Sequence, residues 1–218
     1  MPAMLDQIPQ IHHALEIFGV LALAATGALA AVRARMDFLG AMVMAFVVGN
    51  GGGTLRDLLL NRHPLGWMRD ETLLLMPLVT GLAIYGLTLV VGWRPLARHD
   101  DKASRLGRLL IWADAVGLAV FCVTGAQVAL AQGASVAVTI VMAGITCVGG
   151  GMLRDILVNQ VPLVLRGDLY MTPALIGAGA YILLYAPIGV PAASAAAFAI
   201  CFGVRAAAIL FSLNPARR

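Results

Sequence analysis

The chain has little charge. Only 12% of its 218 residues are Asp, Glu, Lys or Arg, against 61% hydrophobic. A water-soluble domain of this size carries about 25% charged residues, so the composition excludes one and describes a polytopic membrane protein. A disulfide framework is excluded as well. The chain has three cysteines, an odd number, and Cys122, Cys147 and Cys201 all fall inside apolar runs. They read as small packing residues, and their spacing fits no zinc site. There is no Walker loop, no HExxH helix, no nucleophile elbow and no pair of catalytic acids. The chain therefore reads as no enzyme, with no cofactor and no bound metal expected. A selectivity filter of the TVGYG kind is missing too, which limits any ion selectivity to a modest one. The apolar runs are continuous rather than alternating, which argues against a β-barrel.

What the chain does have is length of apolar sequence. A helix needs about 20 apolar residues to cross the hydrocarbon core. Seven runs qualify, at about 13–32, 38–61, 73–93, 109–131, 134–159, 170–188 and 192–213. The first has no basic region before it, since Met1 to His13 carries only Asp6 and two histidines, so it reads as a retained span rather than a cleaved signal.

The loops set an orientation. Arg33, Arg35, Arg94, Arg98, Lys102, Arg105, Arg108, Arg166, Arg217 and Arg218 follow spans one, three, five and seven. Only Arg62 and Arg69 fall on the other side. Ten against two predicts the N-terminus outside and the C-terminus in the cytoplasm. The net charge of +4 thus expresses topology and contact with anionic lipid heads on the cytoplasmic face. No nucleic-acid partner is implied. A bacterial inner (plasma) membrane is the expected location.

The chain also repeats itself. Shifted by 98 residues and without a gap, Glu16 falls on Asp114, and Thr26-Gly27-Ala28 on Thr124-Gly125-Ala126. Gly51, Gly52, Gly53, Leu55, Arg56 and Asp57 fall on Gly149, Gly150, Gly151, Leu153, Arg154 and Asp155. Asn61, Pro64, Leu65 and Asp70 fall on Asn159, Pro162, Leu163 and Asp168. Each copy holds three spans, an odd number, so the second must enter the membrane from the opposite side. The fold expected is an all-α polytopic membrane protein with one membrane domain, 1–218. An inverted 3+3 repeat occupies 14–93 and 109–188, and a seventh helix 192–213.

Within the second and fifth spans stand the stretches GNGGGTLRD and VGGGMLRD. Each glycine costs a helix about 1 kcal/mol relative to alanine. Two uses compete: close helix packing, or a break that frees backbone groups to line a wet path. The charge that follows at once favours a break or kink at Gly51–Gly53 and Gly149–Gly151. Asp57 and Asp155 suit the positive start of each second half-helix. Neighbours on a helix point about 100° apart, so Arg56 and Arg154 are expected to find partners elsewhere, across the repeat or at Glu16 and Asp114. The four charges read as an ion-pair lock, as a lining or gate of a water path, or as both, because unpaired charge costs about 3 kcal/mol at membrane depth.

Secondary candidates surround them. Asn50 could cap a half-helix or line the path. Asn61 and Asn159, ahead of Pro64 and Pro162, end their helices. Thr26 and Thr124 could back-bond to their own helix or face the pore. Glu16 and Asp114 suit the first turns of spans one and four, Arg205 reads as snorkelling, and His12, His13, His63 and His99 sit at membrane edges.

The doubled GGGxxRD on the second and fifth of seven spans resembles the trimeric intracellular cation channel family, in its prokaryotic branch. That branch overlaps bacterial families sometimes called glycine transporters. The resemblance runs from about Ala14 to Phe211. It implies a homotrimer in which each protomer has its own pore, between the kinked second and fifth helices, with potassium the main permeant ion. Arg56, Asp57, Arg154 and Asp155 match the charged pair of the motif. Animal members balance the charge of calcium release from intracellular stores. The basic residues that tune their voltage gating have no counterpart here, since no Lys or Arg lies between Ile111 and Ala131.

Two functions remain in play. The first is a monovalent cation channel, mainly for potassium, which the resemblance favours. The second is a secondary transporter for a small amino acid such as glycine. The residues alone lean slightly to it, because a zwitterion needs a site for its carboxylate and another for its ammonium.

Overall fold

The computed structural model describes residues 7–91, 105–166 and 169–211, and among these every regular element is helical. The predicted loop residues Arg94, Arg98, His99 and Lys102, the C-terminal Arg217 and Arg218, and Asp168 lie outside the described residues. The long helices are α1 (Gln7–Arg33), α2 (Phe38–Leu59), α4 (Glu71–Val91), α5 (Arg105–Ala131), α6 (Val136–Leu157), α7 (Thr172–Ile188) and α8 (Val190–Leu210). A short α3 (Gly66–Arg69), absent from the sequence reading, follows α2, and a 3-10 turn, Leu163–Leu165, follows α6. Six of the long helices have the length and apolarity to cross a membrane. The sixth expected span, α7, is apolar but has 17 residues, about 26 Å at 1.5 Å per residue, slightly under a bilayer core. Pro173 starts it, and Gly189 ends it at φ 81°.

The helix ends follow local chemistry. Asp37 caps α2 by accepting from Gly40 N at 2.8 Å, and Ser135 caps α6 by accepting from Val138 N. At the other ends, Asn61 (φ 52°) and Asn159 (φ 55°) take the left-handed conformation. Arg62 N then donates to Asp57 O at 2.7 Å, and Gln160 N to Asp155 O at 2.8 Å. This six-to-one closure stops both helices in the same way, at the asparagines where the sequence placed their ends.

The centre is the crossing of α2 and α6, and here the expected break is overturned. Neither helix is broken at its glycines; each is one uninterrupted α-helix from its cap to its last turn. The glycines are needed for proximity. A Cβ on Gly52 would strike Thr146 O, and one on Gly150 would strike Val48 O. One on Gly51 would lie 2.7 Å from Leu153 Cδ1, and one on Gly149 3.0 Å from Gly52 Cα. Two backbones this close admit no side chain between them, which is the use small residues have in membranes. Val48 faces Gly150 while Gly52 faces Thr146, so the helices pass in opposite directions, as an inverted repeat requires.

The flanks repeat the theme. Gly27 of α1 rests on α2, where a Cβ would lie 2.5 Å from Met44 O, and its counterpart Gly125 of α5 rests on α6, 2.9 Å from Ala143 Cα. One continuous core joins α1, α2, α5, α6, α7 and α8, including Leu23, Val48, Leu118, Phe121, Tyr181 and Ala197. Cys122, Cys147 and Cys201 are free and buried within it. The seventh span, α8, packs on α5 and α7. Large apolar side chains such as Leu75, Val79, Leu82 and Val90 on α4 face outward, as helices in lipid do.

Candidate functional site: two buried arginine–carboxylate clusters

Each GGG run delivers an arginine and an aspartate one turn later. A Cβ on Gly53 would lie 3.6 Å from Arg56 Nη2, an ordinary contact. Gly151 likewise sits beside Tyr170 Oη and Arg154 Nη2. Arg56 is 0% exposed. Its Nε donates to Asp57 Oδ1 at 2.9 Å and its Nη2 to Glu16 Oε1 at 3.2 Å. Asp57 is 1% exposed and accepts also from Arg62 Nη1 at 3.2 and 3.4 Å and from Gly66 N at 3.0 Å. Two acids and two arginines make this cluster neutral.

The second cluster has the same plan. Arg154 Nε donates to Asp155 Oδ1 at 2.9 Å, and its Nη1 to Asp114 Oδ1 at 3.2 Å. Asp155 Oδ2 accepts from Leu163 N at 2.9 Å. Arg154 Nη1 also donates to Thr26 Oγ1 at 3.2 Å, while Thr26 donates to Leu23 O at 2.8 Å. The threonine thus back-bonds and faces the cluster at once. Its counterpart Thr124 Oγ1 is buried without a partner among the described residues, as is Arg56 Nη1.

These contacts revise several expectations. Each arginine does bond the aspartate next to it, because the long side chain curls back and reaches the carboxylate with Nε. Partners at Glu16 and Asp114 were named in the sequence reading, and both are present. The helices that carry them begin earlier than expected, at Gln7 and Arg105, so neither acid sits in a first turn; each lies deep in its helix to meet an arginine. Asn50 has a structural partner. It is buried and donates to Leu73 O at 2.9 Å. The reason lies four residues on: Pro77 is inside α4 and has no N–H to give that carbonyl. In the second copy Val148 and Leu175 replace Asn50 and Pro77 together. Arg205 does not snorkel either. It is buried, donates to Leu169 O at 3.1 Å, and lies 4.7 Å over the Tyr170 ring. The sequence reading missed Tyr170 and Arg62 as partners. His13 pairs with Asp70 at 3.2 Å.

A cavity of about 410 Å³ opens on the second cluster. Thr26, Asp114, Arg154 and Asp155 form its floor, and Ala30, Arg33, Ala34, Gln160, Arg166 and Arg205 are among its walls and rim. Arg33 ends α1 and Arg166 follows α6, so this mouth lies on the side to which the sequence assigned most of the basic loops. Arg62 follows the far end of α2, a helix of 22 residues and about 33 Å.

A family model described as "Glycine transporter" matches the chain twice, at residues 13–88 and 111–186, in the register of the internal repeat. The UPF0126 inner membrane protein YadS of Escherichia coli (strain K12) is 36% identical over 202 residues, 92% of this chain and 92% of the relative. The chain belongs to the UPF0126 family of membrane proteins. The fold of this UPF0126 member is also that of the TRIC channels. The TRIC trimeric intracellular cation channel orthologue from Rhodobacter sphaeroides is 37% identical, with a TM-score of 0.82 over 93% of this chain and 99% of that one. A prokaryotic TRIC channel in 0.5 M KCl is 25% identical, with a TM-score of 0.83 over 95% and 100% of the two chains.

Proposed function

We propose that this UPF0126 member is a cation channel of the TRIC kind, conducting mainly potassium. Each protomer of a homotrimer holds its own path, running past the α2–α6 crossing and the two arginine–carboxylate clusters. The observation that carries the reading is the placement of those clusters. They lie on opposite sides of the crossing, with charge at membrane depth that only a water-accessible role or a lock repays, and a polar cavity reaches one of them. The likeness to TRIC channels over nearly the whole chain supports it. Gly51–Gly53 and Gly149–Gly151 are the contact that must loosen for ions to pass. Arg56, Asp57, Arg154 and Asp155, with Glu16, Asp114 and Thr26, are the groups that passing ions meet. The chain sits in the bacterial inner membrane with its N-terminus outside, its basic loops against anionic headgroups in the cytoplasmic leaflet.

One observation favours a second reading. Arginines outnumber acids in the cavity, which suits a carboxylate better than a resting cation, while Asp114 and Asp155 could hold an ammonium. A small zwitterion such as glycine meets both demands, as the description of the matching family model also suggests. Recording from purified protein in a planar bilayer under a potassium gradient separates the two. Discrete current steps reversing near the potassium potential are expected. Silence, with saturable uptake of labelled glycine into proteoliposomes, would make the cavity a substrate site.

A further inference from the structure

The two ends of the path share a plan but not a state. Position 62 in the first copy is arginine, and the matching position 160 is glutamine. Backbone geometry at the two positions is the same, since each N–H closes its helix on the aspartate carbonyl five residues back. Only the side chains differ. Arg62 folds back and bonds both oxygens of Asp57, whereas Gln160 is exposed at the rim of the cavity. The segment after Arg62 is also tied down. Gly66 N holds Asp57, and Trp67 Nε1 donates to Thr54 Oγ1 at 3.2 Å while its ring meets Phe46 edge-on at 5.3 Å. In the second copy Leu165 stands where Trp67 does and is 68% exposed. Val128, which matches Ala30 of the open cavity across the 98-residue shift, is buried.

Resting on the reading of a path through both clusters, we propose that Arg62 is a positioning residue that latches the outer end of that path shut, and that Gln160 leaves the inner end open because it cannot form the same latch. The conformation described is therefore open inward and closed outward. Opening requires Arg62 to leave Asp57, which uncovers a cluster with one net negative charge, a mouth that attracts cations.

Thiol accessibility tests this without requiring conduction, and the native cysteines are buried. A membrane-impermeant maleimide, applied to open membrane fragments, should label Ala30→Cys in an otherwise native chain and leave Val128→Cys nearly unreactive. Adding Arg62→Gln should speed labelling of Val128→Cys by roughly tenfold, the population shift expected from losing one charge-assisted contact. Adding Gln160→Arg should slow labelling of Ala30→Cys. Val128→Cys staying unreactive beside Arg62→Gln, in protein that remains monodisperse and labels at Ala30→Cys, overturns the latch. Bilayer recordings on the same variants keep the two ideas apart. Absence of current in the native protein counts against the channel alone, whereas current with unchanged labelling counts against the latch alone.

Discussion

The first and second arginine–carboxylate clusters are built from the same motif at the same register, yet the central arginine of the first is fully buried and the second opens on a cavity. The Arg56 side chain is 1% exposed, that of Arg154 12%. The copies share the glycine contacts at the crossing, the asparagine that ends each helix, and a loop N–H that holds each aspartate, from Gly66 in the first and Leu163 in the second. What they do not share are a few peripheral side chains, Arg62 for Gln160, Trp67 for Leu165 and Val128 for Ala30. A duplicated scaffold fixes where the charges stand. Side-chain bulk and reach at its two ends fix which one water can enter.

The sharpest way to break this comparison is to remove each arginine in turn. Arg56→Leu leaves Asp57 and Glu16 buried and short of charge, and should cost about 3–5 kcal/mol. Arg154→Leu should cost less, because the cavity hydrates Asp114 and Asp155 and sets other arginines near them. Denaturant or thermal unfolding in detergent would show the order; equal losses would mean that the cavity gives no relief.

Within one motif the glycines divide in the same spirit. Gly52→Ala drives a methyl into a backbone carbonyl that cannot swing aside, so α2 and α6 must part, at about 1–3 kcal/mol. Gly53→Ala meets nothing nearer than the flexible end of Arg56 and should be neutral, or stabilising by up to about 1 kcal/mol through helix propensity. Thermal midpoints decide it. Similar losses at both positions would return the motif to a helix break.

The smallest effect comes from the pair that the second copy replaces. Asn50→Val strands the Leu73 carbonyl and should cost about 1–2 kcal/mol. Adding Pro77→Leu restores a backbone donor and should recover most of that loss. A double-mutant cycle without coupling would sever Asn50 from the proline.

Much of this was legible from residues alone. Low charge and seven apolar runs announced the helices, the 98-residue shift announced the repeat, and Glu16 and Asp114 were named as partners for the arginines. The errors share a cause. A helical wheel treats a side chain as a direction, and arginine is long enough to defy it, so Arg56 meets Asp57. Consecutive glycines weaken an isolated helix, but a neighbouring backbone at contact distance holds the helix intact. The partner of Asn50 was not legible because the proline that explains it lies 27 positions away in sequence. A search for carbonyls deprived of a donor by Pro77 would have found it.

By itself, then, the sequence determined the span pattern, the inverted duplication and the chemistry at its centre, because hydrophobic length, periodicity and charge are local quantities that survive without a partner. Which end of that centre is sealed was decided only by tertiary structure. Arg62 and Gln160 differ little as isolated residues in a loop. Their difference gains meaning only when the chain folds back and places one, and not the other, against a buried carboxylate.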